Sequence, residues 1–325
     1  MRSAGQQQVP VPDLVDRAVG GDARSVARLI SLVEDASPDL REVNRLLAPR
    51  TGRARVIGIT GSPGVGKSTA TAALVSGLRT NRARVGVLAV DPSSPFSGGA
   101  LLGDRVRMQE HATDAGVFIR SMATRGHLGG LAWATPQAVR VLDASGYDVV
   151  LIETVGVGQS EVDVAALADT TVVLLAPGMG DGIQAAKAGI LEIGDVYVVN
   201  KADRDGASSV ARDLRAMLNL ADRDAGAWKP PIVKTVASKA EGIADVLAEL
   251  DKHHAWLEES GDLQRRRVSR VRDEIETIAV TALRATFADL HGDERLDALA
   301  ESVVSGESDS WTAADSLVAD FARSQ

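Results

Sequence analysis

Gly61-Ser-Pro-Gly-Val-Gly-Lys67-Ser68 fits the pattern G-x-x-x-x-G-K-[ST], directly after an apolar run at residues 56–60 and directly before a helical stretch at 68–78. Few architectures turn a strand into a helix through so glycine-rich a segment, and the one that does so with Lys-Ser at its end is the phosphate-cradling P-loop. The glycines let backbone N–H groups curl around phosphate oxygens, and the helix amino terminus adds its positive end. Lys67 then reaches the β- and γ-phosphates, and Ser68 offers its hydroxyl to Mg²⁺. Ser62, Pro63, Gly64, Val65, Gly66 and Thr69 complete the expected phosphate-contacting set.

A motif of this kind needs a parallel sheet around it, and the chain supplies one. Further short apolar runs at 85–90, 117–120, 149–152, 171–175, 196–199 and 232–235 alternate with helical stretches, the signature of βα units. The expectation is an α/β, doubly wound, mainly parallel sheet whose ligands sit at the carboxyl ends of the strands. The first 50 residues carry helical periodicity only (Leu14, Val15, Ala18; Val26, Leu29, Ile30, Val33; Leu40, Val43, Leu46, Leu47). About three short helices are expected there, with Ser37 as an N-cap, Pro38 as first helical residue and 50–55 as linker. After Gly242 the pattern is helical again, over 243–259, 263–290, 295–305 and 311–323. The expected organisation is therefore an N-terminal helical extension (1–54), a P-loop domain (55–242) and a C-terminal helical arm (243–325). Val268, Val271, Ile275, Ile278, Ala279 and Leu283 share one face of that arm, which either pairs with a partner or packs on its own domain.

Composition narrows the chemistry. Cysteine is absent, so disulfides, thiolate metal sites and a cysteine nucleophile are excluded, and any metal must be held by oxygen or imidazole. A net charge of −8 and 3% aromatics disfavour nucleic acid as a partner, by bulk charge and by base stacking alike. No apolar run approaches the ~18 residues of a membrane span, and residues 1–12 lack an apolar leader core. The reading is a cytoplasmic protein without a membrane partner.

Two further motifs fall at strand ends. Asn200-Lys201-Ala202-Asp203 follows the run 196–199; N-K-x-D reads guanine, because the Asp203 carboxylate accepts from both N1–H and the 2-amino group. Ser238, Lys239 and Ala240, after the last strand, either back the base with main-chain N–H groups or form an ordinary turn. Glu153-Thr-Val-Gly156 ends the run 149–152 where D-x-x-G is usual in GTPases. Its carboxylate can serve Mg²⁺ or orient the attacking water, and Gly156 can give its N–H to the γ-phosphate. Asp91, closing the run 85–90, and Asp104 are further carboxylates that can converge there, although an aspartate like Asp104 is also favoured at a helix amino terminus. Lys67, Asp91, Asp104 and Glu153 form the candidate catalytic set, and Ser68, Asp91, Asp104 and Glu153 the candidate Mg²⁺ set, with GTP and GDP as nucleotides.

Taken together, the P-loop, Val90-Asp-Pro-Ser-Ser-Pro, Gly99-Ala-Leu-Leu-Gly-Asp104-Arg-Val-Arg-Met, Arg120-Ser-Met-Ala-Thr-Arg-Gly-His-Leu-Gly-Gly, Glu153-Thr-Val-Gly-Val-Gly-Gln-Ser-Glu and Asn200-Lys-Ala-Asp resemble the MeaB/ArgK group of P-loop GTPases, which includes the methylmalonic aciduria type A protein. The resemblance implies a chaperone of adenosylcobalamin-dependent methylmalonyl-CoA mutase, a homodimer formed through the helical C-terminal extension, and roles for Asp91, Asp104 and Glu153 in Mg²⁺ binding and catalysis. It also implies a nucleotide-sensing switch at 121–130 and a further switch, from Gly178 through Gln184 to Lys187, that addresses the mutase. Partitioning-type ATPases place a second lysine where Ser62 stands, and nickel-delivery GTPases carry Cys and His stretches absent here. The alternative is a small-molecule kinase of the amino-acid transport type on the same P-loop, and Arg105, Arg107, Arg120 and Arg125 are open to either a phosphate-contacting or an ion-paired role.

Overall fold

Short runs rich in Val, Ile and Leu pair here into a single sheet, whose central strands Val149–Thr154 and Thr170–Leu175 are buried at every position, as strands covered on both faces must be. The computed structural model describes residues 9–92, 111, 113–124, 131–154, 160–178, 192–220, 224, 226–286 and 294–323. Its strands are β1 (Arg55–Thr60), β2 (Val85–Pro92), β3 (Val117–Thr124), β4 (Val149–Thr154), β5 (Thr170–Leu175), β6 (Val196–Val199) and β7 (Ile232–Lys234). They lie in the order β3-β2-β4-β1-β5-β6-β7, and every pairing is parallel. β2 and β3 run past the ends expected of them because they pair with each other to Asp91↔Ala123 and Pro92↔Thr124.

The pleat sends alternate residues to two helical layers. Ile57, Ile59, Val149, Leu151, Val172 and Leu174 pack against α4 (Lys67–Thr80) and α8 (Ile243–Glu259), where Leu74, Val246 and Leu250 meet them. On the opposite face Ile152 meets Val164 of α6 (Ser160–Leu167), and Val173, Leu175 and Tyr197 meet Leu214 of α7 (Ala207–Leu220).

The expected N-terminal helices are α1 (Val11–Val19), α2 (Ala23–Glu34) and α3 (Leu40–Leu47). Asp22 caps α2, accepting from the Ser25 N–H at 3.0 Å. The cap expected at Ser37 is displaced: its hydroxyl accepts from the Asp39 N–H at 3.2 Å, which closes a turn first, and α3 begins only at Leu40. Leu29, Ile30, Val43 and Leu47 share one core with Leu88 of β2, Phe118 and Met122 of β3, and Val141 and Leu142 of α5 (Leu131–Ala144). The stretch read as a linker is held on both sides. Asp143, at the end of α5, accepts from the N–H groups of Gly52, Arg53 and Ala54 (2.5, 3.2 and 2.9 Å), and Arg267 donates to the carbonyls of Gly52 and Ala54 (2.7 and 2.9 Å).

Residues 1–271 and 272–325 form two compact units. The helix α9 (Asp262–Thr286) starts within the first, and its opening turns are anchored at the amino edge of the sheet. Arg266 grips Asp195 through both terminal nitrogens at 3.0 Å. Arg267 and Arg270 reach Asp169 at 2.9 and 2.7 Å, and Asp169 also accepts from the Val56 N–H at 3.0 Å. Burial pushes the Asp169 carboxyl upward, but the two guanidinium groups outweigh it and hold it below the usual carboxylate range. Beside this cluster the buried His253 accepts or donates at Thr170 Oγ1 (2.9 Å) and stacks on Trp256. Burial pushes its imidazole down to about 4. The second unit holds α10 (Glu294–Val304) and α11 (Ser310–Arg323), which pack on each other. No helix among the described residues is long and apolar enough to cross a membrane.

Candidate nucleotide site

At the carboxyl edge of the sheet β1 ends in Thr60, and the loop 61–66 delivers the chain into α4. Two glycines are required there. Gly66 has φ 95°, and a Cβ on it would stand 2.6 Å from Asn200 Nδ2; at Gly61 (φ 141°) a Cβ would lie 2.3 Å from the Leu174 carbonyl oxygen. Lys67 is buried and folds back over the loop, donating to the carbonyls of Gly61 (2.5 Å) and Ser62 (3.3 Å). Val65 is buried in the core, so only its main chain faces the loop's concavity, while Pro63 and Gly64 are exposed and Ser62 and Thr69 half-buried.

Ser68 donates its hydroxyl to Glu153 Oε1 at 2.7 Å, and both residues are buried. Glu153 stands in register with Ile59 of β1 and Ala89 of β2, which puts the carboxylate at the centre of the edge, beside the amino terminus of α4. A hydroxyl and a carboxylate in contact are hard oxygen donors of the kind that hold Mg²⁺ together with a nucleotide's phosphates. Among the described residues no three carboxylates or imidazoles converge on one point.

The guanine-type motif is joined to the P-loop by one side chain. Asn200 donates to the Val65 carbonyl (2.9 Å), and its Oδ1 accepts from Thr235 Oγ1 and from the Ala237 N–H, both at 3.1 Å. Lys201, at φ 55°, extends its Nζ to the Gly64 carbonyl at 2.6 Å. Asp203 is exposed on the turn that follows. Ser238, Lys239 and Ala240 are exposed as well, and the N–H groups of Lys239 and Ala240 close their own turn onto Val236 and Ala237 (2.8 and 3.1 Å). Three loops from β1, β6 and β7 thus meet at Asn200.

Asp91, the penultimate residue of β2, stands at the same carboxyl edge, one residue beyond the Val90↔Thr154 pair that follows Glu153. Asp104, Gly156, Arg105, Arg107, Arg125, Gln184 and Lys187 lie outside the described residues, as do 126–130 of the first expected switch. Arg120 takes the ion-paired role: it contacts Glu34 and donates to Ser31 Oγ at 3.0 Å, tying β3 to α2. What the residues alone did not disclose is that Asn200 is a strut; the only hint was Thr235, a hydroxyl at the end of the strand beside it.

A family model described as "Methylmalonyl Co-A mutase-associated GTPase MeaB" matches residues 26–290. A putative GTPase of Pyrococcus abyssi is 51% identical over 271 residues, 82% of this chain and 83% of that one. A mitochondrial methylmalonic aciduria type A homologue of Caenorhabditis elegans is 36% identical over 280 residues, 81% of this chain and 70% of that one. Among solved structures, one described as a LAO/AO transport system kinase superposes with a TM-score of 0.70 at 26% identity, covering 98% of this chain and 100% of that chain.

Proposed function

The chain belongs to the MeaB family and is a P-loop GTPase, and from that premise we propose that it acts, with Mg²⁺, as chaperone and regulator of adenosylcobalamin-dependent methylmalonyl-CoA mutase, GTP hydrolysis gating cofactor loading and protection. The observation that carries the hydrolytic part is the buried Ser68–Glu153 contact beside Lys67. Phosphate oxygens entering the loop draw the Lys67 ammonium off the Gly61 carbonyl, and Ser68 and Glu153, with Asp91 and Asp104, hold the cation. A Mg²⁺ ion bound there would supply positive charge to offset the charge that develops on the phosphates. In this reading Glu153 orients the attacking water and Gly156 gives its N–H to the γ-phosphate.

Guanine selectivity rests on Asp203, with Asn200, Lys201 and the turn 238–240 framing the base. Adenine would offer the Asp203 carboxylate neither donor, so guanine is favoured. Competition of ATP and GTP for a fluorescent GDP complex tests this, and equal displacement would contradict it.

The mutase as partner is supported by the family description and by the name of the nematode relative. Val268, Val271, Ile275 and Ile278 follow 3-4-3 spacing along α9 and are between 43% and 62% exposed in the single chain, which supports a homodimer through the C-terminal helices. Adding purified mutase is expected to raise phosphate release. Unchanged release, at mutase concentrations well above the dissociation constant of the complex, refutes the reading. A kinase reading draws on the name of the solved relative; it requires a phosphorylated metabolite among the products, whereas free phosphate from GTP alone supports the regulator.

A further inference from the structure

Residues 1–55 carry nine arginines and no lysine within a chain of net charge −8. Three of these arginines, Arg17, Arg24 and Arg28, line a cleft of about 930 Å³ between α1 and α2, within the size range of small-molecule sites. Two arginines that reach the same helices do take carboxylates, Arg50 with Asp16 and Arg120 with Glu34. Among the described residues none of the three lining arginines is within ion-pair distance of an acid. Asp22, which also borders the cleft, caps α2 through Ser25 and feels the Arg24 charge, which helps hold its carboxyl below the usual range, without a direct ion pair between them.

The cleft is polarised along its length. The two helices are joined by only Gly20, Gly21 and Asp22, so they run antiparallel. Arg17 and Arg24 therefore stand at the turn end, while Val11 of α1 and Leu32 of α2 stand at the far end, with Leu14 and Arg28 between. Arg24, Arg28 and Leu32 are spaced four apart, on one ridge of α2. From Arg24 to Leu32 the ridge extends about 12 Å. Planar guanidinium forks suit carboxylate and phosphate oxygens, which they bind in pairs, whereas at the far end the lining is Val9, Pro10, Val11 and Leu32 with the Asp39 carboxylate beyond them, which repels such a head group.

We infer that this cleft binds a small amphipathic anion, its carboxylate or phosphate held by Arg17 and Arg24 and its apolar body directed toward Val11 and Leu32. The site shares no residue with the nucleotide loops, and the inference stands whether or not the mutase is the partner. Isothermal titration of the full chain, saturated with GDP so that the P-loop is filled, tests it with octyl phosphate, octanoate and inorganic phosphate. Octyl phosphate or octanoate is expected to saturate one site per chain, the tighter of the two identifying the head group, and inorganic phosphate to bind at least about tenfold more weakly. Losing two charge-assisted contacts costs at least about 1.4 kcal/mol, so the Arg17→Gln/Arg24→Gln double variant should bind at least about tenfold more weakly with unchanged Tm and unchanged GDP affinity. Val11→Glu should weaken the octyl ligands and leave inorganic phosphate unchanged. The inference is overturned if neither octyl ligand gives saturable heat, if the double variant binds them as the parent does, or if an acidic helical peptide binds the face while the octyl ligands do not.

Discussion

Replacing Asn200 by alanine removes three hydrogen bonds from a side chain that is 3% exposed. The Val65 carbonyl, the Thr235 hydroxyl and the Ala237 N–H all lose their partner. Each bond of this kind contributes a net ~0.5–1.5 kcal/mol, so the sum is about 3 kcal/mol, a sizeable share of the roughly 5–15 kcal/mol that holds a domain folded. The three loops that Asn200 joins are those proposed to receive the nucleotide, so the loss should appear twice. Equilibrium urea unfolding is expected to show the Asn200→Ala midpoint well below wild type, and fluorescent GDP titration a weakening of tenfold or more, since about 1.4 kcal/mol of lost loop order is a factor of ten. Lys201→Ala is the control: it removes the exposed Nζ bond to the Gly64 carbonyl and should cost well under about 1 kcal/mol of stability. Wild-type stability and wild-type GDP affinity in Asn200→Ala would refute the assignment of Asn200 as the strut.

Glu153→Gln keeps the shape that meets Ser68 but removes the charge, and should slow GTP hydrolysis far more than it weakens GTP binding; equal effects on single-turnover rate and Kd would argue against a catalytic role. Gly66→Ala adds left-handed strain of about 1–2 kcal/mol and a Cβ 2.6 Å from Asn200 Nδ2, so a folded protein that still binds GDP normally would contradict the loop geometry. His253 titrates near 6.5 when unfolded and about 4 when folded, so the unfolded chain binds more protons between those values. The stability it contributes is present above pH 6.5 and is lost as pH falls toward 4, by roughly 3 kcal/mol; His253→Leu should flatten urea midpoints across that window, and an identical pH profile would count against the shift. Ile275→Asp puts a charge in the exposed stripe of α9 and should move sedimentation from dimer to monomer without lowering the basal GTPase rate.

Much of this fold is legible locally. All seven strands announce themselves because both faces of a parallel sheet demand apolar residues, and α8 begins at the glycine that ends the last turn. What escapes is whatever depends on residues far apart in sequence. The added length of β2 and β3 comes from their pairing with each other. Ser37 reads as a cap by its type, but a nearer N–H, that of Asp39, takes the hydroxyl first. Arg266, Arg267 and Arg270 read as the charged surface of an arm, whereas their partners Asp195 and Asp169 lie 71 to 101 residues upstream, a distance no local pattern spans. In the site, motif spacing names the P-loop and the guanine reader, but not the fact that Asn200 joins them.

The clasp around residues 52–54 bears on how the protein comes apart. Asp143 and Arg267 hold that stretch from opposite sides, and Arg267 also holds Asp169, so the junction between helices and sheet is tied to α5, to α9 and to the edge of the sheet at once. A chain that began at Arg55 would bare Leu88, Phe118 and Met122 and strip Asp143 of its three donors. Cooperative unfolding follows contacts of this kind rather than motif boundaries. In a calorimeter, the N-terminal helices, the sheet and the opening turns of α9 should therefore melt in a single endotherm, and cleavage before Arg55 should leave an aggregating remainder in place of a smaller working GTPase.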